Sequence, residues 1–348
     1  MNHSAPSITH RISQRGLTLV EVMVAITISL ILLAGVMQIF TSSRQTYRVQ
    51  DGLARMQENG RFSMQFLTND IRMAGYTGCA SKTSSVNNIA QDATTASFTG
   101  GIMGYEYPSL PVSLTATNTL TSADVVAGTD VLAIKRASPT GVRLTGNMTV
   151  VNANIQVDPV TAAGMFAAGD ILFISDCANA DIFAATNVSN GGGVITIAHA
   201  AASNTSVNLS KTYQTDAEVM RMESAAYYIG TDATNNNAPT LYRRRLTSGS
   251  TMVSEPLAEG VENMQILYGE DTDTPADGSA NRYLPAGTGG LNMSNVVSVR
   301  VSLLLRSSEN NITTQPQPYI FNGATITPTD RRLRRVFTTT IRIRNKGL

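Results

Sequence analysis

The sequence predicts an α+β fold in which a long N-terminal α-helix packs on a β-rich C-terminal domain with an antiparallel sheet. Three observations carry that expectation. Residues 17–40, LTLVEVMVAITISLILLAGVMQIF, are a predominantly apolar run with a single charged residue, Glu21. Leu53, Met56, Gly60, Met64, Leu67, Ile71 and Ala74 then recur at steps of three and four, which marks one face of a helix. From about residue 130 onward, short segments rich in Val, Ile, Thr and Tyr alternate with Gly/Asn/Ser clusters, as strands alternate with turns.

The first element is a polar leader, residues 1–16, which carries Arg11 and Arg15 and ends on Gly16. The 24 residues of the apolar run follow it. At about 1.5 Å per residue a helix of this length reaches about 36 Å, enough to cross a hydrocarbon core of about 30 Å. A secretory signal would need a shorter apolar core and a small-residue exit, and neither fits. A plain membrane anchor fits the length but has no use for Glu21, because a carboxylate at mid-bilayer costs roughly 2.5–3.5 kcal/mol. Cleavage after Gly16 would leave an α-amine on Leu17, one helical turn from that acid. A cationic terminus and an anionic side chain on the same apolar rod suit pairing between like helices. Gly35 lies within the run and weakens the helix by roughly 1 kcal/mol relative to Ala.

The helix is expected to continue over residues 41–75, with Arg44, Arg48, Arg55, Glu58, Arg61, Asp70 and Arg72 on its polar faces and Gly75 and Gly78 as its stop. Residues 76–348 then make the globular domain. Ala80 to about Asp130 lacks periodicity and reads as loop or irregular β structure. Strands are expected at 130–136, 170–176, 193–199, 218–230, 240–246, 262–270, 295–307 and 335–345. In the last of these, Phe337, Thr339, Ile341 and Ile343 point one way and polar residues the other, so one face is covered.

Composition narrows the chemistry. Of 348 residues, 42% are hydrophobic and 15% charged, and the net charge is +1. Loss of the leader's two arginines would make it −1, which gives no strong overall field for nucleic acid. His3 and His10 lie in the leader, so His199 is alone in the remainder and reads as a surface or loop residue. No nucleophile–His–acid arrangement or HExxH motif can be assembled, so no catalytic residue, metal ligand set or cofactor is expected. Glu270, Asp271, Asp273 and Asp277 form an acidic loop. Pro275 stands where a calcium loop needs a ligand and Gly278 comes too late for its turn, so a hairpin loop is the plainer expectation. Arginines cluster at 243–245 and at 331–335, continuing through Arg342, Arg344 and Lys346. Such clusters can hold DNA phosphates, or serve as subunit contacts and charged sheet edges.

The segment RGLTLVEVMVAI resembles the class III signal of type IV prepilins: a basic leader, Gly before the cut, then an apolar helix with Glu21. Leu17 stands where that family usually has Phe. GDILFISDC, AYYIG, VENMQILYGEDTDTPADGSANRYLPA, VVSVRVSLLLRS and RRVFTTTIRIRN further resemble the PilW-type minor pilins. The resemblance implies the pilin fold, cleavage between Gly16 and Leu17 by a prepilin peptidase, N-methylation of Leu17, and an assembly role for Glu21. Implied partners are other minor pilins, the major pilin, inner-membrane assembly machinery and a large tip-associated adhesin. The chain would sit in the bacterial inner membrane with its N-terminus cytoplasmic, then pass into the pilus to prime assembly or stay near the tip. A minor pseudopilin of a type II secretion system shares the leader and helix and is the alternative, with a tip DNA receptor a third. Export to an oxidising periplasm would favour a Cys79–Cys177 disulfide over two separate thiols. That bridge would close a loop worth about 4–5 kcal/mol in the chain-entropy model.

Overall fold

A computed structural model describes residues 16, 18–80, 86–91, 101–109, 112–113, 119–247 and 251–346. The chain divides after Asp51 into two compact units. One α-helix, Leu19–Arg72, runs through the boundary.

In the first unit the helix is unbroken through Gly35, and its apolar side chains are exposed throughout. Leu19, Ile31, Leu32 and Ile39 are each more than 60% exposed. The side chains here supply no core of their own. The helical form is held by main-chain bonds, aided by Thr27 and Thr41 hydroxyls donating to the Met23 and Met37 carbonyls.

In the second unit the helix buries a stripe of Met56, Gly60, Ser63, Leu67 and Ile71, continued by Ala74 in the turn after its end. The stripe matches the helical period read from the sequence, with Ser63 in addition. Its hydroxyl escapes the cost of burial by donating to the Asn59 carbonyl at 2.7 Å. Against this stripe lies a four-stranded antiparallel sheet ordered Arg282–Leu284, Val261–Glu270, Val296–Arg306, Arg334–Arg342. Its register lines up Met264, Leu303 and Phe337, and beside them Tyr268, Val299 and Ile341, on the covered face. Period-two alternation in the sequence becomes one continuous apolar layer under the helix. The helix ends where Gly75 takes φ +72° and its N–H donates to the Lys135 carbonyl at 2.9 Å.

A second, nine-stranded sheet is organised about the long strand Glu218–Asp232. Val131–Ala137 pairs along one edge of that strand. Ile171–Ser175 and Ala238–Leu246 pair with successive parts of it. All of the longer strands pair antiparallel. The short Val86–Asn88, from the segment expected to be irregular, instead pairs parallel with Ala180–Ala184. A satellite layer, Ile155–Val157 with the hairpin Asn187–Gly191 and Val194–Ala198, has its own core around Leu172, Phe183, Ile197 and Tyr213. Asp181 is wholly buried there and is satisfied by Tyr213 Oη (2.6 Å), Ser210 Oγ (2.6 Å) and Asn87 Nδ2 (2.5 Å).

His199 belongs to that satellite core and is 3% exposed, contrary to the surface position expected of it. Its ring packs edge-on against Phe183 and Nε2 sits 3.0 Å from the Ala153 carbonyl. The inward alternation of Ile195 and Ile197 carries on to position 199, which accounts for the burial.

The two sheets are joined by Asp130. Its N–H donates to the Met264 carbonyl at 3.0 Å, and its carboxylate accepts from the Ile266 N–H at 2.7 Å. A side chain preceding one sheet thereby caps a strand of the other.

Candidate functional site

The start of the helix is shaped by Thr18 and Glu21. The Thr18 N–H donates to Glu21 Oε2 at 2.9 Å, and the Thr18 hydroxyl donates to the same oxygen at 3.0 Å. The Glu21 N–H approaches Thr18 Oγ1 at 3.3 Å. This is a reciprocal capping box, which satisfies main-chain donors that a helix start leaves open. Lipid offers no water to satisfy them, so the carboxylate has a use within its own chain. The T-x-x-E spacing was present in the sequence as the signal for it. Gly16 is exposed, and a Cβ built on it meets no atom within 4 Å, while Leu17 lies outside the described residues. Val22, Ala25, Ile26, Ser29, Leu30 and Leu33 follow Glu21 along a fully exposed apolar face.

The junction between helix and head is fastened twice within the second unit. Cys79 and Cys177 form a disulfide, which links the segment after the helix to the turn after Ile171–Ser175. Tyr227, at the centre of the long strand, donates its hydroxyl hydrogen to Asp70 in the helix's last turns. Arg136 reaches the same carboxylate at 3.5 Å and Glu223 at 2.8 Å. Burial, and then the Asp70 charge, push the Tyr227 phenol well above its ordinary pKa, so it stays a donor.

The acidic loop closes on itself. Asp271, Asp273 and Asp277 bring one oxygen each within 4.8 Å of the others. Asp271 is buried and accepts from the Asp273 N–H (3.0 Å) and the Gly278 N–H (2.6 Å), and Asp273 accepts from Asn281 (3.0 Å). Glu270 turns away to pair with Arg282 at 2.8 Å. These bonds hold a hairpin loop between Val261–Glu270 and Arg282–Leu284.

Each arginine cluster is partly tied up in ion pairs inside the fold, while Arg331, Arg335, Arg342 and Arg344 are exposed. The Arg334 side chain is 5% exposed and bound to Glu262 (2.7 Å) and Asp330 (2.6 Å). Arg334 in turn holds the Asp330 carboxyl down at about 2. Arg243 and Arg245 share Glu255 at 2.9 and 2.6 Å. Arg334 is thus a structural ion-pair residue rather than a candidate DNA contact. The sequence showed the arginines but not the acids that the fold brings to them.

Comparison with known families agrees with this arrangement at both ends. Residues 11–37 match the prokaryotic N-terminal methylation motif. Residues 226–345 match the type IV pilus-assembly protein W family, PilW. No significant match is found among curated proteins or among solved structures. A methylation-motif helix with an exposed apolar first half and a disulfide-tied antiparallel β domain is consistent with the type IV pilins. Within that class the chain is PilW-like. Both matched families are structural parts of pili, and the apolar helix under the methylation motif fits a single-pass inner-membrane pilin that later extends into the pilus. The two matches point to other pilins and pilus machinery as its partners.

Proposed function

We propose that the chain is a minor pilin cut between Gly16 and Leu17 by a prepilin peptidase, N-methylated on Leu17, and used to prime pilus assembly. Residues 1–16 are the leader, 17–40 the membrane and filament-core half of the helix, 41–75 its amphipathic half, and 76–348 the head. Glu21 is the observation that carries the reading: it is the one charge in the apolar run, one turn from position 17. In the membrane-bound subunit it caps its own helix through Thr18. In the filament it neutralises the methylated N-terminus of an adjacent subunit, where an unpaired charge away from water would be costly. The main-chain donors it leaves are then met by neighbouring helices.

A head of this size, with two sheets and a satellite layer, suits a rare position near the tip better than repeated packing along a shaft. There it would meet other minor pilins, the first major pilin and a large adhesin. The PilW match favours the pilus over a type II secretion apparatus. The test is Glu21→Ala in the full chain. It should be cut normally yet fail to co-purify with the other minor pilins, and pili should become scarce. Normal complex recovery and pilus numbers would show that the charge pairing is dispensable.

A further inference from the structure

A cleft of about 440 Å³ opens on the helix-facing side of the nine-stranded sheet, beside Asp70. Its floor is apolar, made by Ile134 and Ala225, which face each other across neighbouring strands. Arg136, Arg221, Arg243 and Arg245 stand around it. The local carboxylates leave donors in surplus, because each guanidinium has five N–H groups and no acceptor. Glu255 alone serves both Arg243 and Arg245. Arg221 donates to the Thr247 carbonyl and meets Asp170 at 3.9 Å, which leaves other guanidinium donors over, and Arg243 Nε is buried without a hydrogen-bond partner. Arg245 and Arg221 remain 45% and 31% exposed at the mouth.

Apolar groups flank this donor-rich cleft. Arg243 lies over the Phe66 ring, and Phe66 stacks edge-on with Phe62, centroids 4.6 Å apart. Phe62 is 43% exposed, and Val253, cross-strand from Arg245, is 42% exposed. Arginine beside exposed aromatic and aliphatic groups is the composition of a protein interface centre. A free small anion is the weaker fit. The four arginines are matched in formal charge by Asp70, Glu223, Glu255 and Asp170, so an incoming carboxylate is held by directed hydrogen bonds rather than by a net field, and a small anion would leave the apolar flanks bare.

We propose that this cleft is the docking site for an acidic segment of another pilin subunit. A carboxylate enters between Arg221 and Arg245 while an adjoining apolar side chain covers Phe62 or Val253. The proposal rests on the chain acting as an assembled pilin. Its test places the photocrosslinker p-benzoylphenylalanine at Thr140, on the cleft wall, in the full chain expressed with its pilus system. A control carries it at Leu30 on the apolar helix. The Thr140 probe should capture a pilin subunit through a peptide containing Asp or Glu. Arg245→Glu should lower that yield by about tenfold, the loss of one charged hydrogen bond, while Arg245→Lys keeps part of it and the Leu30 adduct is unchanged. A Leu30 adduct without any Thr140 adduct would overturn the proposal. So would a Thr140 adduct indifferent to Arg245→Glu, or citrate binding to the purified chain through Arg245. Loss of adducts at both positions in the otherwise unsubstituted chain would overturn the assembly reading itself.

Discussion

Gly60 and Phe337 touch because neither leaves room for anything else: a Cβ on Gly60 would lie 2.6 Å from Phe337 Cζ. The helix can approach the edge strand Arg334–Arg342 this closely only where it has no side chain. Ala is the better helix former by about 1 kcal/mol, so propensity alone argues for it. Overpacking costs about 1–3 kcal/mol and opposes that gain. Gly60→Ala should therefore lower the thermal midpoint of the purified full chain, and Phe337→Leu in the same chain should restore part of it.

Asp130 should make stability depend on pH. Burial first, and the nearby Glu106 carboxyl second, raise its pKa to about 7 from an ordinary 3.8. Tyr268 and Tyr105 are the other titratable groups facing this cluster. A carboxyl with a raised folded pKa binds its proton more tightly when folded. Its contribution is therefore fully present below about pH 4, falls as the pH rises towards 7, and is lost above that. The full excursion is on the order of several kcal/mol. Asp130→Asn keeps an oxygen for the Ile266 N–H and should flatten the denaturant-midpoint curve between pH 4 and 8.

The Cys79–Cys177 bond spans 98 residues of sequence, and both cysteines are exposed. Reduction, or Cys79→Ser with Cys177→Ser, should cost about 2–5 kcal/mol. The loss should appear as a lower urea midpoint. Proteolysis in the segment after the helix should also become faster, because that segment loses its covalent tie to the turn after Ile171–Ser175.

Asp70 itself offers a further check. Tyr227→Phe removes a buried donor to a carboxylate that Arg136 still partly neutralises. The expected cost is about 1.5–3 kcal/mol for a hydrogen bond to a charged group. Hydrogen exchange in the last two turns of the helix should then accelerate, with the satellite layer unaffected.

Much of this architecture was legible because its signals are periodic. The helix stripe from Met56 to Ala74 and the alternation of Phe337, Ile341 and Ile343 each follow from one element burying one face. Relations between distant residues were not legible. Glu262 and Asp330 lie 72 and 4 residues from Arg334, and only the sheet register brings Glu262 to it. Asp130 is one acid among many until its N–H and carboxylate are seen to bind Met264 and Ile266. His199 is buried because it completes the alternation of Ile195 and Ile197, although its Ala/Ser/Asn-rich neighbourhood predicts a loop. Glu21 stood out by its charge. Its partner Thr18 carries no charge, and the T-x-x-E spacing is its only signal in the sequence.

Mass spectrometry of the N-terminus of protein recovered from piliated cells tests the central claim most directly. A chain beginning at Leu17 with an added methyl group is the predicted result. A chain still beginning at Met1, or cut elsewhere, would contradict it, because Glu21 would then have no neighbouring amine to answer.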